Sequence, residues 1–388
     1  MSGPFSPLRH DRFRALWFAG LVSFLGTWVH NVAARWTAAT LSPSPLAVST
    51  IDTLTLAPMV VLALWAGVLA DSTDRRLLLA GTHVAQSVVA LTMGWLAFTG
   101  RMTLPVLFFW TGCLGCLGAI IGPAWQATVP RQVPDDDVPA AIALMSTGFN
   151  LARAVGPAAG AWMLVAFGPA WAFWTNAASY LVIAALLWRL PPQRAPPSTR
   201  AEVSPISDPA LRRLYIAGMA FGLLAMPSLS LLAVVARDQI GGVASDYGHL
   251  LSAFGIGAVS AGLLVAAGAK RFGTRRFVEG TVLVSAIGFA ILSAAQGLTV
   301  AVAGAAVCGA GWIGTVSTIN AAVQVRAKPE VRGRALAYYL MFAVAGQATG
   351  SFFGGFAAEQ LGLVTALRMC AIGLFGLSAI IAASERNR

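Results

Sequence analysis

Apolar stretches of about twenty residues or more recur at intervals of roughly 30 residues from Phe13 almost to the end of the chain, and nothing else limits its fold as strongly. In a lipid core only a helix or a closed barrel satisfies every backbone N–H and C=O, and a helix needs about twenty apolar residues to cross. The runs predict twelve spans: 13–36, 46–70, 77–99, 103–128, 138–166, 168–190, 211–236, 246–270, 276–296, 299–325, 332–358 and 361–384. Water is excluded as the main solvent, because only 11% of the 388 residues are charged, against about a quarter in soluble domains. The longest polar interval, Pro191 to Asp208, is too short to form a core. The chemistry must therefore lie within the membrane.

A formal net charge of +11 would suit a nucleic-acid binder if the cations shared one surface. Instead they fall in alternate loops, the pattern that orients a membrane protein. On these spans 21 of the 26 lysines and arginines lie on one side, in the N-terminal arm, around Arg75 and Arg76, at Arg131, in the central linker, around Lys270 and Arg275, from Arg326 to Arg334, and in the tail. Arg35, Arg101 and Arg237 are the main cations opposite. Both termini are therefore expected in the cytoplasm, with the chain a multi-pass protein of a bacterial inner membrane. The basic N-terminal arm before Ala15–Val29 looks like a secretory signal, but the apolar run continues to Trp36, so it is read as the first span. Cys113, Cys116, Cys308 and Cys370 all lie in apolar runs and are read as packing residues. No metal site and no cofactor is expected.

The chain also repeats itself. The turn Leu69–Arg76 has a counterpart in Ala269–Arg276, and Pro134 and Pro329, each followed by an acidic residue, occupy matching turns. Six spans plus six is the simplest description. The expected domains are 1–190, a proline-rich cytoplasmic linker at 191–210, and 211–388.

Gly67-Val68-Leu69-Ala70-Asp71-Ser72-Thr73-Asp74-Arg75-Arg76 resembles the loop two-to-three signature of the major facilitator superfamily, with Ser72 and Asp74 replacing its usual arginine and glycine. Gly122–Gln126, Asn150–Gly160 and Val331–Arg334 are similar to further stretches of the branch that includes siderophore exporters and macrolide efflux pumps. The resemblance covers nearly the whole chain. It implies an all-α membrane fold of two pseudo-symmetric six-helix bundles, usually monomeric, that moves a small molecule by alternating access. It also implies that Gly67, Asp71, Arg75 and Arg76 form a conformational latch. Arg153, Gly156, Pro157 and Gly160 would form an antiporter-like motif associated with exporters, in which small residues let helices approach and proline bends the helix.

Ionisable and polar residues inside spans are the candidate proton or substrate contacts, since such groups are costly in lipid and usually face a cavity or a partner. They are His30, Asn31, Asp52, Trp125, Gln126, Asn320 and Gln324. Burial raises a carboxylate pKa, so Asp52 could respond to protons; His30 could titrate near neutrality. Enzymatic function is not expected, because HExxH and GxSxG motifs and a histidine cluster are missing from the sequence. A Walker-type GxxxxGK loop is missing too. The expected activity is proton-coupled export of a small amphipathic organic molecule, a drug-like compound or a siderophore. A nutrient importer of the same fold and a non-transporting membrane receptor are the alternatives.

Overall fold

The computed structural model describes residues 3, 5–192, 205–328 and 331–383; most of the expected linker, Pro329 and its acidic neighbour, and the C-terminal tail lie outside them. Among the described residues all regular structure is helical. The helices are α1 (Asp11–Leu41), α2 (Pro45–Val61), α3 (Ala63–Ser72), α4 (Arg75–Phe98), α5 (Leu104–Thr128), α6 (Val138–Phe167), α7 (Pro169–Trp188), α8 (Pro209–Ala225), α9 (Pro227–Ser230), α10 (Leu232–Val234), α11 (Ala244–Phe272), α12 (Thr274–Ser293), α13 (Leu298–Arg326), α14 (Arg332–Leu361) and α15 (Leu363–Ala383).

Ten described helical stretches are long and apolar enough to cross a bilayer, and α6 makes an eleventh when its two bent segments are joined. The expected second span is broken instead into α2 and α3, which meet at Leu62. Pro58, with no N–H to donate, lies one turn before that break. With α2 and α3 taken in tandem the arrangement is consistent with twelve crossings. The outward faces also require lipid: Trp65 is 78% exposed and Leu263 80%, positions that water would penalise.

Proline chemistry explains the other interruptions. Pro157 removes the N–H that would bond the Arg153 carbonyl and crowds that carbonyl. The α6 axis accordingly bends by 40° between Arg153 and Val155. Pro227 likewise ends α8, and the chain continues through α9 and α10 into a π-helical turn, Val235–Gln239. Two helix junctions echo the expected repeat. Gly168, between α6 and α7, has φ +80°, and Gly362, between α14 and α15, has φ +87°, a left-handed conformation that glycine adopts without a Cβ penalty.

The chain forms two compact units. The first contains residues 1–34 and 58–199; the second contains 35–57 and 200–388. The boundary is therefore not only at the central linker: the end of α1, the turn after it and most of α2 group with the C-terminal helices. In the first unit Phe13, Leu16, Leu79, Trp125, Val129 and Leu187 belong to one buried apolar cluster. In the second, Tyr215, Tyr247, Phe221, Phe289 and Tyr339 are among the largest fully buried side chains.

Candidate functional site

Counting inward from the α1–α2 turn gives the first element of the site. Arg35 lies six residues before Leu41, the end of α1, and Asp52 seven residues after Pro45, the start of α2. At about 1.5 Å per residue the two side chains reach the same depth. They meet there as a buried ion pair, 2% and 4% exposed. Arg35 Nε donates to both Asp52 oxygens at 3.0 Å and Nη2 donates to Oδ1 at 2.6 Å. The Tyr247 hydroxyl of α11 interacts with this guanidinium, outside strict hydrogen-bond geometry. Trp36 stacks on the Tyr247 ring, with centroids 5.5 Å apart and 15° between planes.

Nearer the turn, helix ends are matched to charges of the right sign. The last carbonyls of a helix lack intrahelical donors and carry partial negative charge. Arg237, on the π-helical turn, donates to the carbonyls of Ala39, Ser42 and Pro43, the last at 2.7 Å, and Asp238 holds its guanidinium from the other side. At the N-terminus of α2 the partial charge is positive, and Glu359 of α14 accepts from Ser44 Oγ at 2.7 Å and from the Leu46 N–H at 3.4 Å. Ser351 donates to the Ser49 carbonyl at 2.7 Å, and Thr53 donates to the Ala348 carbonyl at 3.3 Å. Gly355 faces Ser49 so closely that any Cβ would collide with it. The turn is thus held by α14 and the π-helical turn within the second unit, with α11 packed deeper against Arg35 and Trp36.

The other expected contacts scatter. His30 is buried against the Phe173 ring at 4.7 Å, and among the described residues neither ring nitrogen has a hydrogen-bond partner. Asn31 is half-buried and Gln126 exposed. Trp125 is only 7% exposed and belongs to the first unit's apolar cluster, where a Cβ on Gly20 would lie only 2.8 Å from its ring, so most of its aromatic surface is used in packing. Asn320 and Gln324, one turn apart on α13, hydrogen-bond each other at 2.6 Å.

Of the expected latch, Arg76 donates to the Leu190 carbonyl at 2.9 Å, and its backbone N–H is capped by Asp74 at 3.0 Å. Arg75 is buried. A Cβ on Gly67 would meet no described atom within 4 Å. The Asp71 side chain lies outside the described residues. In the antiporter-like motif, Gly156 and Gly160 approach α1: a Cβ on Gly160 would come within 2.9 Å of Val32, and one on Gly156 would overlap Trp28. Arg153 lies over the Phe149 ring at 5.3 Å.

Sequence reasoning missed two groups. Arg237 read as an ordinary loop cation and Glu359 was not singled out, although their signs suit the helix ends they cap. The second group is a polar cluster inside the first unit. His83 and Gln86 of α4 and Asn176 and Tyr180 of α7 are buried, and Tyr180 reaches Thr27 at 3.2 Å. Among the described residues both His83 nitrogens, Gln86 Oε1 and Asn176 Nδ2 lack a partner in strict hydrogen-bond geometry, although Gln86 interacts with the His83 ring. The spacing of His83 and Gln86, three residues apart on one helix face, was the available signal.

The sequence matches the family described as transmembrane secretion effector over residues 2–386. An uncharacterized MFS-type transporter of Bacillus subtilis, YfiS, is 26% identical over 171 residues, 44% of this chain and 40% of that protein. The staphyloferrin A transporter of Staphylococcus aureus is 24% identical over 160 residues, 41% of this chain and 40% of that protein. The matched stretch thus spans about two fifths of the length of these relatives. A solved bacterial homologue of the human lysosomal transporter Spinster superposes with a TM-score of 0.77 over 98% of this chain and 97% of its own, at 15% identity, a likeness of fold.

Proposed function

The chain belongs to the transmembrane secretion effector family of major facilitator transporters, and we propose that it exports a small amphipathic organic molecule by proton-coupled alternating access. The buried Arg35–Asp52 pair carries this reading. Two charges held away from water are stable only as a pair, and protonating Asp52 removes the attraction while leaving the Arg35 cation buried. Arg35 stays charged throughout, so any loosening of the pair has to act on the carboxylate. A proton reaching Asp52 would therefore loosen the joint between α1 and α2, beside the turn that Arg237 and Glu359 hold. Protons are the coupling ion in this scheme. The alternate-loop bias of lysine and arginine supports cytoplasmic termini in a bacterial inner membrane, with the turn on the outer side.

Export rather than import is supported by the family description and by the 40° bend in α6, where Gly156 and Gly160 pack tightly on α1. The relative named for staphyloferrin A makes siderophores a natural first class to try. The test is efflux of dyes, macrolides and siderophores from cells making the wild type or Asp52→Asn, with and without a protonophore. Energised exclusion of one class by wild type, lost with the protonophore and in Asp52→Asn at equal abundance, is the expected result. Accumulation of a compound through the wild type with no efflux of any would overturn it.

A further inference from the structure

The second unit contains a cavity of about 2090 Å³ lined only by its own residues. Its walls are largely apolar, among them Leu211, Ala217, Ala266, Val278, Ile319 and Ile381. It extends along α8 from Ala210 to Ala220, ten residues or about 15 Å at helical rise. Its mouth is cationic: Arg213, Lys270, Arg275, Arg326 and Lys328 line it beside one described acid, Asp208. They come from the start of α8, the end of α11, the start of α12 and the end of α13 with the residues after it, so all five gather at one end of the unit.

Two of these cations are already engaged. Arg275 donates to the Ile381 carbonyl at 2.9 Å and to the Ala382 carbonyl at 3.1 Å, capping the end of α15. Arg326 approaches Asp208 at 3.7 Å, while Asp208 also caps the start of α8. Arg213, Lys270 and Lys328 have no carboxylate partner among the described residues. Positive charge at this end serves topology wherever it falls. Here, however, it rings the entrance to a large apolar chamber. A pocket in the first unit, beside Trp17 and Trp125, is by contrast about 10 Å³, room for no more than a water molecule.

We infer that this cavity binds an anionic amphiphile, with its acidic head among Arg213, Lys270 and Lys328 and its apolar tail along α8 and α13. Neither half of the arrangement selects such a molecule alone. Apolar walls accept any tail, and exposed cations attract any anion weakly in water; together they favour a molecule carrying both features. A cationic amphiphile of the same tail would meet like charge at the mouth. The inference rests on the export reading only for the step in which this occupant is the transported solute. An anionic phospholipid of the surrounding leaflet has the same chemistry.

The test uses the full chain in phosphatidylcholine nanodiscs and two probes, dansyl-undecanoate and an analogue with a trimethylammonium head in place of the carboxylate. The carboxylate probe should bind at least tenfold more tightly than the cation. Arg213→Gln combined with Lys270→Gln should erase most of that preference while leaving the cation's weak binding unchanged. Ala217→Trp, which fills the wall without touching charge, should weaken both probes. Equal binding of the two probes to the wild type, or an undiminished preference in the double variant, overturns the inference. Adding phosphatidylglycerol separates the sources: competition with the probe identifies a lipid occupant, and unchanged affinity identifies a solute. Charge-selective binding without efflux of any compound would sink export and leave the cavity's assignment intact; energised efflux with no charge selectivity would do the reverse.

Discussion

In the second unit Arg35 and Asp52 aim three hydrogen bonds at each other, while in the first unit His30, His83, Gln86 and Asn176 lie equally deep with polar atoms unmatched. The difference follows from what each group costs to bury. An ionised side chain without its partner loses several kcal/mol, so the two charges must be joined wherever the fold places them. A neutral imidazole or amide left unpaired costs about 1–3 kcal/mol, which a well-packed bundle tolerates. The charged pair is thus locked at its carboxylate, with only Arg35 Nη1 and the neighbouring Tyr247 hydroxyl left over, whereas the neutral groups keep more open capacity to bond.

The largest test of that contrast is Asp52→Ala. Stranding Arg35 should destabilise the purified protein by about 3–5 kcal/mol, while Arg35→Met with Asp52→Leu should recover most of the loss. Reaction of a thiol-sensitive dye with the buried Cys308 and Cys370 on heating reports it. Equal losses in single and double variants would show that the pair does not act as a unit. A smaller effect belongs to Arg237→Gln, which gives up charge-assisted bonds to helix-end carbonyls worth about 1–2 kcal/mol together. High salt should not mimic it, since the group is largely withdrawn from solvent; if salt alone reproduces the loss, the cap is a surface interaction. The smallest is His83→Leu, which removes two unmatched nitrogens at similar volume and should change stability by no more than about 1 kcal/mol, in either direction. A loss above about 2 kcal/mol would mean that this imidazole is hydrogen-bonded after all.

Span positions were legible because the bilayer allows so few solutions, and the bend at Pro157 because a missing N–H acts locally wherever the helix goes. Rotation about each helix axis was not. In a soluble helix polarity marks the outer face, but here lipid-facing and core-facing residues are equally apolar, so Trp125 read as a solute contact when it belongs to the packed interior. The break between α2 and α3 was not read from the sequence, because the effect of Pro58 at Leu62 depends on neighbours. Asp52 was found as a buried acid, yet its partner needed the register of two helices about a turn. Arg237 and Glu359 act on residues some 195 and 315 positions away, a distance no local pattern spans.

The timing of synthesis gives the α1–α2 turn a further meaning. At about 5–20 residues per second, Glu359 leaves the ribosome roughly 15–60 s after Ser44, the residue it will hold. During that interval the first hairpin is in the bilayer with its acidic cap still unmade. A nascent protein that stalls before α14 therefore carries an unfinished joint near its beginning, long before any question of transport arises.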